Sequence, residues 1–213
     1  MKTLEEVVAV LNEIRTGVRQ PGVGDPQEQA GLFYYDEVLP IVIKAFCSDS
    51  SVIRQRLGRI DLLISMLGFS PETAILAHHA LCPKRLLLLY SGNAISSIEV
   101  VRRFVVGQGP GQIAQPALNV RECPAAAPNA IIDMIVEAAT EVRRQNSEYS
   151  TRIVVDITGG KKIMSAAAAL AASRIGVPLV YIDGDYDPKL RRPRPGSERL
   201  IMIETASMKQ DTL

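Results

Sequence analysis

The apolar run Ile153-Val154-Val155 leads into Asp156-Ile157-Thr158-Gly159-Gly160-Lys161-Lys162-Ile163-Met164-Ser165, and then into the alanine-rich segment Ala166 to Ala172. Alanine is the strongest helix former, so that segment reads as a helix. The order is strand, glycine turn, helix start. A chain built around this unit is an α/β protein, and the start of such a helix is where α/β proteins bind phosphate. Gly159 and Gly160 allow close backbone approach to an anion, Thr158 and Ser165 bring hydroxyl donors, and Lys161 and Lys162 bring charge. Asp156 would repel a phosphate, so it is expected to hold the turn or a ligand hydroxyl. The long loop of a Walker A motif is absent, and no G-x-G-x-x-G opens the first unit. A plain tight turn with surface lysines stands as the alternative.

The same alternation runs from residue 60 onward. Buried-strand runs are read at Ile60–Leu67, Leu86–Tyr90, Ala117–Arg121, Arg152–Asp156, Val177–Asp183 and Leu200–Glu204. Between them lie helical patterns at 72–81, 95–105, 128–145 and 161–174. Strands spaced by helices predict a Rossmann-like, mostly parallel, doubly wound sheet flanked by helices. Ligands in such sheets bind beyond the carboxyl ends of the strands. Three such ends carry small or polar turns: Gly68-Phe69-Ser70, Ser91-Gly92-Asn93 and Asp156 to Lys162. If the strand order brings them together, they form one crevice.

Residues 1–59 read differently. Leu4, Val7, Val8, Leu11 and Ile14 recur at helical spacing behind Thr3, a good N-cap. Residues 27–47 look helical with an interruption near Pro40, and 52–57 is a further short helix. The expected division is an N-terminal helical segment, 1–59, and a Rossmann-like domain, 60–213. Tyr34 and Tyr35 are expected to pack rather than react. The basic, proline-containing stretch Lys189 to Arg194 is expected to be a solvated hairpin or loop, with a lid over an anion as the alternative.

Composition removes several function classes. The net charge is +1, so any anion site is local. There is no tryptophan and aromatics are 5%, too few for a single-strand stacking platform. Cys47, Cys82 and Cys123 have no metal-like spacing and read as free thiols, with Cys47 and Cys82 as buried packing residues. The only histidines, His78 and His79, are adjacent, so a helix cannot aim both at one site. They are expected at the surface or partly buried. No metal and no cofactor are expected. No apolar run suits a membrane span and no secretory segment is seen, which predicts a cytoplasmic protein.

The strand followed by Asp-x-Thr-Gly-Gly-x-Lys-x-Met-Ser resembles the signature of CRISPR-associated Rossmann fold (CARF) domains, the sensor domains of type III CRISPR ancillary proteins. Gly68-Phe69-Ser70-Pro71-Glu72, Pro83 and the strand ending in Ser91 agree with it, and the resemblance spans about residues 60–204. It implies a homodimer that binds a cyclic oligoadenylate, cyclic tetra-adenylate in the first instance, across its two-fold axis. Thr158, Gly159, Gly160, Lys162 and Met164 match the binding loop, and Ser70 and Ser91 match positions in the other two loops. Gly68, Phe69, Gly92, Asn93, Asp156, Lys161 and Ser165 complete the implied ligand-binding set. Many relatives carry Thr or Asn where this chain has Lys161.

The resemblance leaves three functions. The first is a sensor that signals to an effector, placed on a domain or chain outside this sequence or in the N-terminal segment. The second is a metal-independent ring nuclease, in which Lys161 or Lys162 would act as the catalytic cation. The third is a ligand-gated transcription regulator with Arg54, Arg56 and Arg59 toward DNA. That segment has too few clustered basic residues for a recognition helix, so DNA is not the expected partner. No membrane partner is expected.

Overall fold

The computed structural model describes the chain except residues 1, 23, 110, 125, 147–150, 189–191 and 206–213, and the side chains of Asn93 and Pro116. The N-terminal segment is helical throughout its ordered elements. Thr3 starts α1 (Leu4–Arg15) with a capping box: its Oγ1 accepts from Glu6 N–H at 3.3 Å and its own N–H donates to Glu6 Oε2 at 2.7 Å. Asp25 caps α2 (Pro26–Phe33) by accepting from Glu28 N–H. The sequence predicts a break near Pro40, but the helix widens instead. A π turn, Tyr34–Val38, runs directly into α3 (Leu39–Asp49), with Leu39 N–H donating to Tyr34 O. Pro40 then falls in the first turn of α3, where a missing donor costs nothing. The short helix α4 (Ser51–Leu57) follows and ends at Gly58, whose φ is +68°.

The strands are β1 (Leu62–Leu67), β2 (Leu86–Tyr90), β3 (Leu118–Glu122), β4 (Ile153–Asp156), β5 (Leu179–Asp183), β6 (Tyr186–Asp187), β7 (Arg192–Pro193) and β8 (Arg199–Ile203). Six of them form one sheet in the order β3-β2-β1-β4-β5-β8, parallel except for β8, which runs antiparallel to β5. β6 and β7 pair as a small antiparallel ribbon beside it. The intervening helices are α5 (Pro71–Leu81), α6 (Ile95–Val105), α7 (Pro128–Gln145) and α8 (Lys162–Ile175). This is the expected Rossmann-like sheet.

The chain winds outward from β1 through β2 to β3, returns to β4 beside β1, and continues the other way to β5. The topological switch point therefore lies between β1 and β4. Right-handed crossovers put helices on opposite faces for opposite winding directions. The core obeys this. Leu63, Leu67, Leu86, Leu88, Val154 and Val180 share one cluster with residues of α5, α6 and the N-terminal helices. Leu62, Ile64, Met66, Leu87, Ile153 and Val155 share the other with α7 and α8. Burial on both faces is why these strands read as unbroken apolar runs.

α5 is buried along nearly its whole surface, His79 excepted. A helix buried all round needs cover on both sides. The sheet supplies one side and α3 the other. Val38, Leu39, Val42 and Phe46 are buried in that contact. Each large apolar side chain so buried contributes about 1.5–3 kcal/mol. Exposed ion pairs such as Lys2–Glu37 contribute below ~1 kcal/mol. Apolar packing therefore holds the N-terminal layer in place.

Candidate functional site

The carboxyl ends of β1 and β4 are adjacent, with Ser65 opposite Asp156. The loops that follow touch through backbone. A Cβ on Gly68 would lie 2.8 Å from Gly160 N, and one on Gly159 would lie 2.0 Å from Met66 O. Neither contact tolerates a side chain. Gly160 has φ +79°, the left-handed region that glycine enters freely. The glycines thus serve contact between the two loops before any contact with a ligand.

Asp156 is fully buried and organises the turn. Its Oδ2 accepts from Ser65 Oγ at 2.6 Å, and its Oδ1 accepts from Thr158 N–H at 2.9 Å and Thr158 Oγ at 2.6 Å. Burial pushes its carboxyl above the usual range, against the pull of the Ser65 and Thr158 bonds. Thr158 Oγ in turn accepts from Ile182 N–H at 2.8 Å, tying the loop to β5. Ser165 Oγ donates to Gly159 O at 3.2 Å. The sequence suggested Thr158 and Ser165 as ligand donors, but both hydroxyl protons are spent inside the loop. Met164 is buried beneath Gly160, where a Cβ would meet its Sδ at 3.3 Å.

What remains for an anion is the start of α8 and two side chains. α8 begins with no side-chain cap, at Lys161. The first turn of a helix leaves N–H groups unsatisfied and concentrates positive potential there. Lys161 and Lys162 are exposed, and neither forms an ion pair among the described residues.

The other two loops flank this centre because β2 is next to β1. Ser70 precedes α5, which also lacks a side-chain cap, and its carbonyl accepts from Thr73 Oγ at 3.0 Å. Phe69, at the loop tip, is 74% exposed. Ser91 precedes a 3-10 turn, Gly92–Ala94, that runs into the equally uncapped α6. Gly92 lies against Glu122, whose Oε1 would be 3.1 Å from a Cβ. The Asn93 side chain lies outside the described residues. The turns after β2, β1 and β4 therefore stand in a row along one edge of the sheet.

Behind the β1–α5 loop lies a charged cluster that the sequence did not reveal. Glu72, in the first turn of α5, is buried. The Arg192 guanidinium stands 4.0 Å over the Tyr34 ring and 5.5 Å from the Tyr35 ring. Burial raises the Glu72 carboxyl and the nearby Arg192 pulls it back, with the net shift upward. Arg192 contradicts the expectation of a solvated basic loop, because its planar cation packs on aromatic faces instead. Lys189 and Arg191 lie outside the described residues. No local sequence signal links Glu72 to Arg192. Tyr34 and Tyr35 pack as expected.

Other expectations change as well. His78 is fully buried, not near the surface. Its Nε2 faces Gly111 O at 2.8 Å and so carries the proton, and burial pushes its pKa down to about 4. Cys82 is exposed, at φ 48° just past α5, while Cys47 is half-buried and Cys123 buried. The three cysteines are free. Arg56 is ion-paired with Glu204, and Arg54 Nη1 lies 3.7 Å from Cys82 Sγ. No three metal-ligating side chains cluster among the described residues, and no described helix is long and apolar enough to cross a membrane. A recess of about 460 Å³ lies at the other end of the sheet, beside Lys84, Arg85 and Arg121. Each of these cations already has a partner: Asp61, Gln145 and Glu137 respectively. The carboxyl edge is the better anion site.

No protein-family model matches the chain. It is 27% identical over 206 residues to the CRISPR system endoribonuclease Csm6 of Thermus thermophilus, across 94% of this chain and 40% of the relative. The chain thus spans well under half the length of that relative. Among solved structures, it superposes on Enterococcus italicus Csm6 bound to cyclic hexa-2'-fluoro-hexa-dAMP with a TM-score of 0.51 and 12% identity, covering 72% of this chain and 44% of that one. Can2 from Sulfobacillus thermosulfidooxidans, in complex with cyclic tetra-adenylate, gives a TM-score of 0.47 and 19% identity over 63% of this chain and 35% of its own. The chain is thus similar in sequence to a CRISPR system endoribonuclease across nearly its whole length and shares the fold of the Enterococcus italicus protein, with the Thr158-Gly159-Gly160 turn at the switch point of its own Rossmann-like sheet.

Proposed function

We propose that this chain is a sensor of cyclic oligoadenylate, with cyclic tetra-adenylate as the preferred ring, and that it binds the ring between two copies of itself. The observation that carries the reading is the backbone-to-backbone seating of the Gly68 and Gly159–Gly160 loops beside an uncapped helix start and two unpaired lysines. A cyclic tetranucleotide is a compact polyanion. One copy of the loops offers a modest patch, and a two-fold pair doubles it. A second observation supports pairing. Ile163 and Leu170 on α8, and Tyr181, Ile201 and Ile203 on β5 and β8, are exposed apolar side chains. On this reading they meet their counterparts across the two-fold axis. The Csm6 structure from Enterococcus italicus holds a cyclic hexanucleotide analogue, which is the same ligand class.

In this scheme ring binding closes the loops and reorients the two copies. The shift is limited by the difference in ring affinity between the two orientations. The division at residue 60 is retained: the 60–213 portion senses, and the N-terminal layer receives the change through α5. Calorimetry with cyclic tri-, tetra- and hexa-adenylate tests the ligand, and sedimentation with and without the ring tests the pairing. Absence of heat with all three rings would overturn the reading.

Lys161 and Lys162, both exposed and without ion pairs among the described residues, also suit a ring nuclease. There the ribose 2'-oxygen would attack the adjacent phosphorus in line and expel the 5'-oxygen, leaving a 2',3'-cyclic phosphate, with a lysine stabilising the added negative charge. Chromatography of labelled ring after prolonged incubation separates the two readings: intact ring rejects cleavage.

A further inference from the structure

The phosphate-facing groups leave the bases of such a ring without a recognition element. The carboxyl end of β5 supplies one. Ile182 N–H bonds Thr158 Oγ, so the next residue, Asp183, stands beside the phosphate loop, three residues beyond the last β5 residue paired with β4. Side chains alternate along a strand. Val180 and Ile182 face the cluster shared with α5, so Asp183 faces the other way, toward the side on which α8 begins. A polar recess of about 550 Å³ opens at Asp183, lined by residues at and between the ends of β5 and β8, among them Asp185, Arg194, Ser197 and Arg199.

The lining separates by what is already committed. Asp185 is ion-paired with Arg194. Ser197 Oγ donates to Arg194 O at 2.7 Å and accepts from Asp185 N–H at 3.0 Å. Arg199 donates to the carbonyl of Glu198 at 2.7 Å, but its charge is not paired among the described residues. Asp183 is exposed and stands opposite Arg199 in the β5–β8 register, and its side chain makes no hydrogen bond or ion pair among the described residues. Glu122 is the other exposed, unpaired carboxylate at this edge, but it lies against Gly92 on the far side of β2. An acceptor-only carboxylate next to a phosphate site is unfavourable for the phosphate itself. It is suited to a donor on the same ligand.

We infer that this recess is a base subsite and that Asp183 selects adenine by accepting a hydrogen bond from its exocyclic amine, with Arg199 at hand to lie against the base plane. This rests on the cyclic oligoadenylate reading. The chemistry is discriminating. Adenine presents an N–H donor at its six-position, whereas hypoxanthine and guanine present a carbonyl oxygen, which a carboxylate repels. With the wrong base seated over it, the carboxylate would lose water without gaining a partner, which disfavours that base.

The test uses the whole chain and two probes, cyclic tetra-adenylate and the ring with hypoxanthine in place of adenine. Wild type should bind the adenine ring at least tenfold more tightly. Asp183→Asn, whose amide offers N–H to a carbonyl, should reduce that preference at least tenfold, chiefly by gaining affinity for the hypoxanthine ring. Asp183→Ala should reduce it by loss of adenine affinity. Because the side chain bonds nothing in the fold, the melting temperature of both variants should match wild type. Wild-type discrimination retained in both variants would overturn the inference while leaving the ligand assignment standing. No binding of either ring by wild type would fail the ligand assignment, and the inference with it.

Discussion

The two ways in which this protein begins its helices mark its two regions. In the N-terminal layer, Thr3 and Asp25 close the starts of α1 and α2 with side-chain caps. Along the carboxyl edge of the sheet, α5, α6, α7 and α8 all start without one. A missing cap costs about 1 kcal/mol per helix, so four together are a considerable cost in a domain of marginal stability. α3 and α4 of the N-terminal layer lack side-chain caps too, but each follows almost directly on the helical turn before it. On the proposed reading, the edge keeps its donors for the phosphates of the ring. The comparison implies that changes in the first region cost stability alone, and that changes at the exposed edge cost ligand alone.

The largest effect should come where the two kinds of cost coincide. Gly159→Ala drives a Cβ to 2.0 Å from Met66 O, against backbone that cannot step aside. We expect more than about 3 kcal/mol of destabilisation in urea unfolding, together with loss of ring binding. Mild destabilisation with intact binding would show that the two loops are not seated on one another.

Next is a pH effect. His78 has a folded pKa of about 4, below its unfolded value. The unfolded chain takes up the proton first, so stability is full above pH ~6.5 and falls toward pH 4. The loss should approach ~3 kcal/mol and should shrink in His78→Gln. An unchanged pH profile in the variant would assign the acid sensitivity elsewhere.

A third test isolates the edge. Lys162→Ala should weaken cyclic tetra-adenylate at least tenfold, about 1.4 kcal/mol, with an unaltered melting temperature. Unaltered affinity would remove this lysine from the site. The smallest effect belongs to the N-terminal layer. Thr3→Ala should cost about 1 kcal/mol of stability and leave ring affinity unchanged. A change in affinity would mean that the two regions are coupled even by a remote cap.

Much of the frame could be read from residues alone. The strands at Leu62–Leu67, Leu86–Tyr90 and Ile153–Asp156 are unbroken apolar runs because both faces are covered, and such runs are visible in sequence. The Gly159–Gly160 turn was visible for the same reason, being local. What the sequence could not show was where hydrogen-bond capacity is spent. Thr158 and Ser165 looked like ligand donors until their partners, Asp156 and Gly159 O, were in view. Arg192 looked solvated because its aromatic neighbours come from the other end of the chain. His78 and Cys82 sit four residues apart on and just beyond one helix, yet one is sealed and the other open, because α3 and the sheet enclose α5 only as far as its last turn.

That enclosure gives α5 a mechanical character. It begins at the carboxyl edge of the sheet, immediately after Ser70, and its 11 residues span about 16 Å of the interior. A close-packed interior is nearly incompressible and does not absorb a displacement locally. A push on the first turn of α5 is therefore delivered along the rod and sideways into α3, as in a piston held in a sleeve. At the head of that piston lie the Glu72 carboxyl and the nearby Arg192 cation.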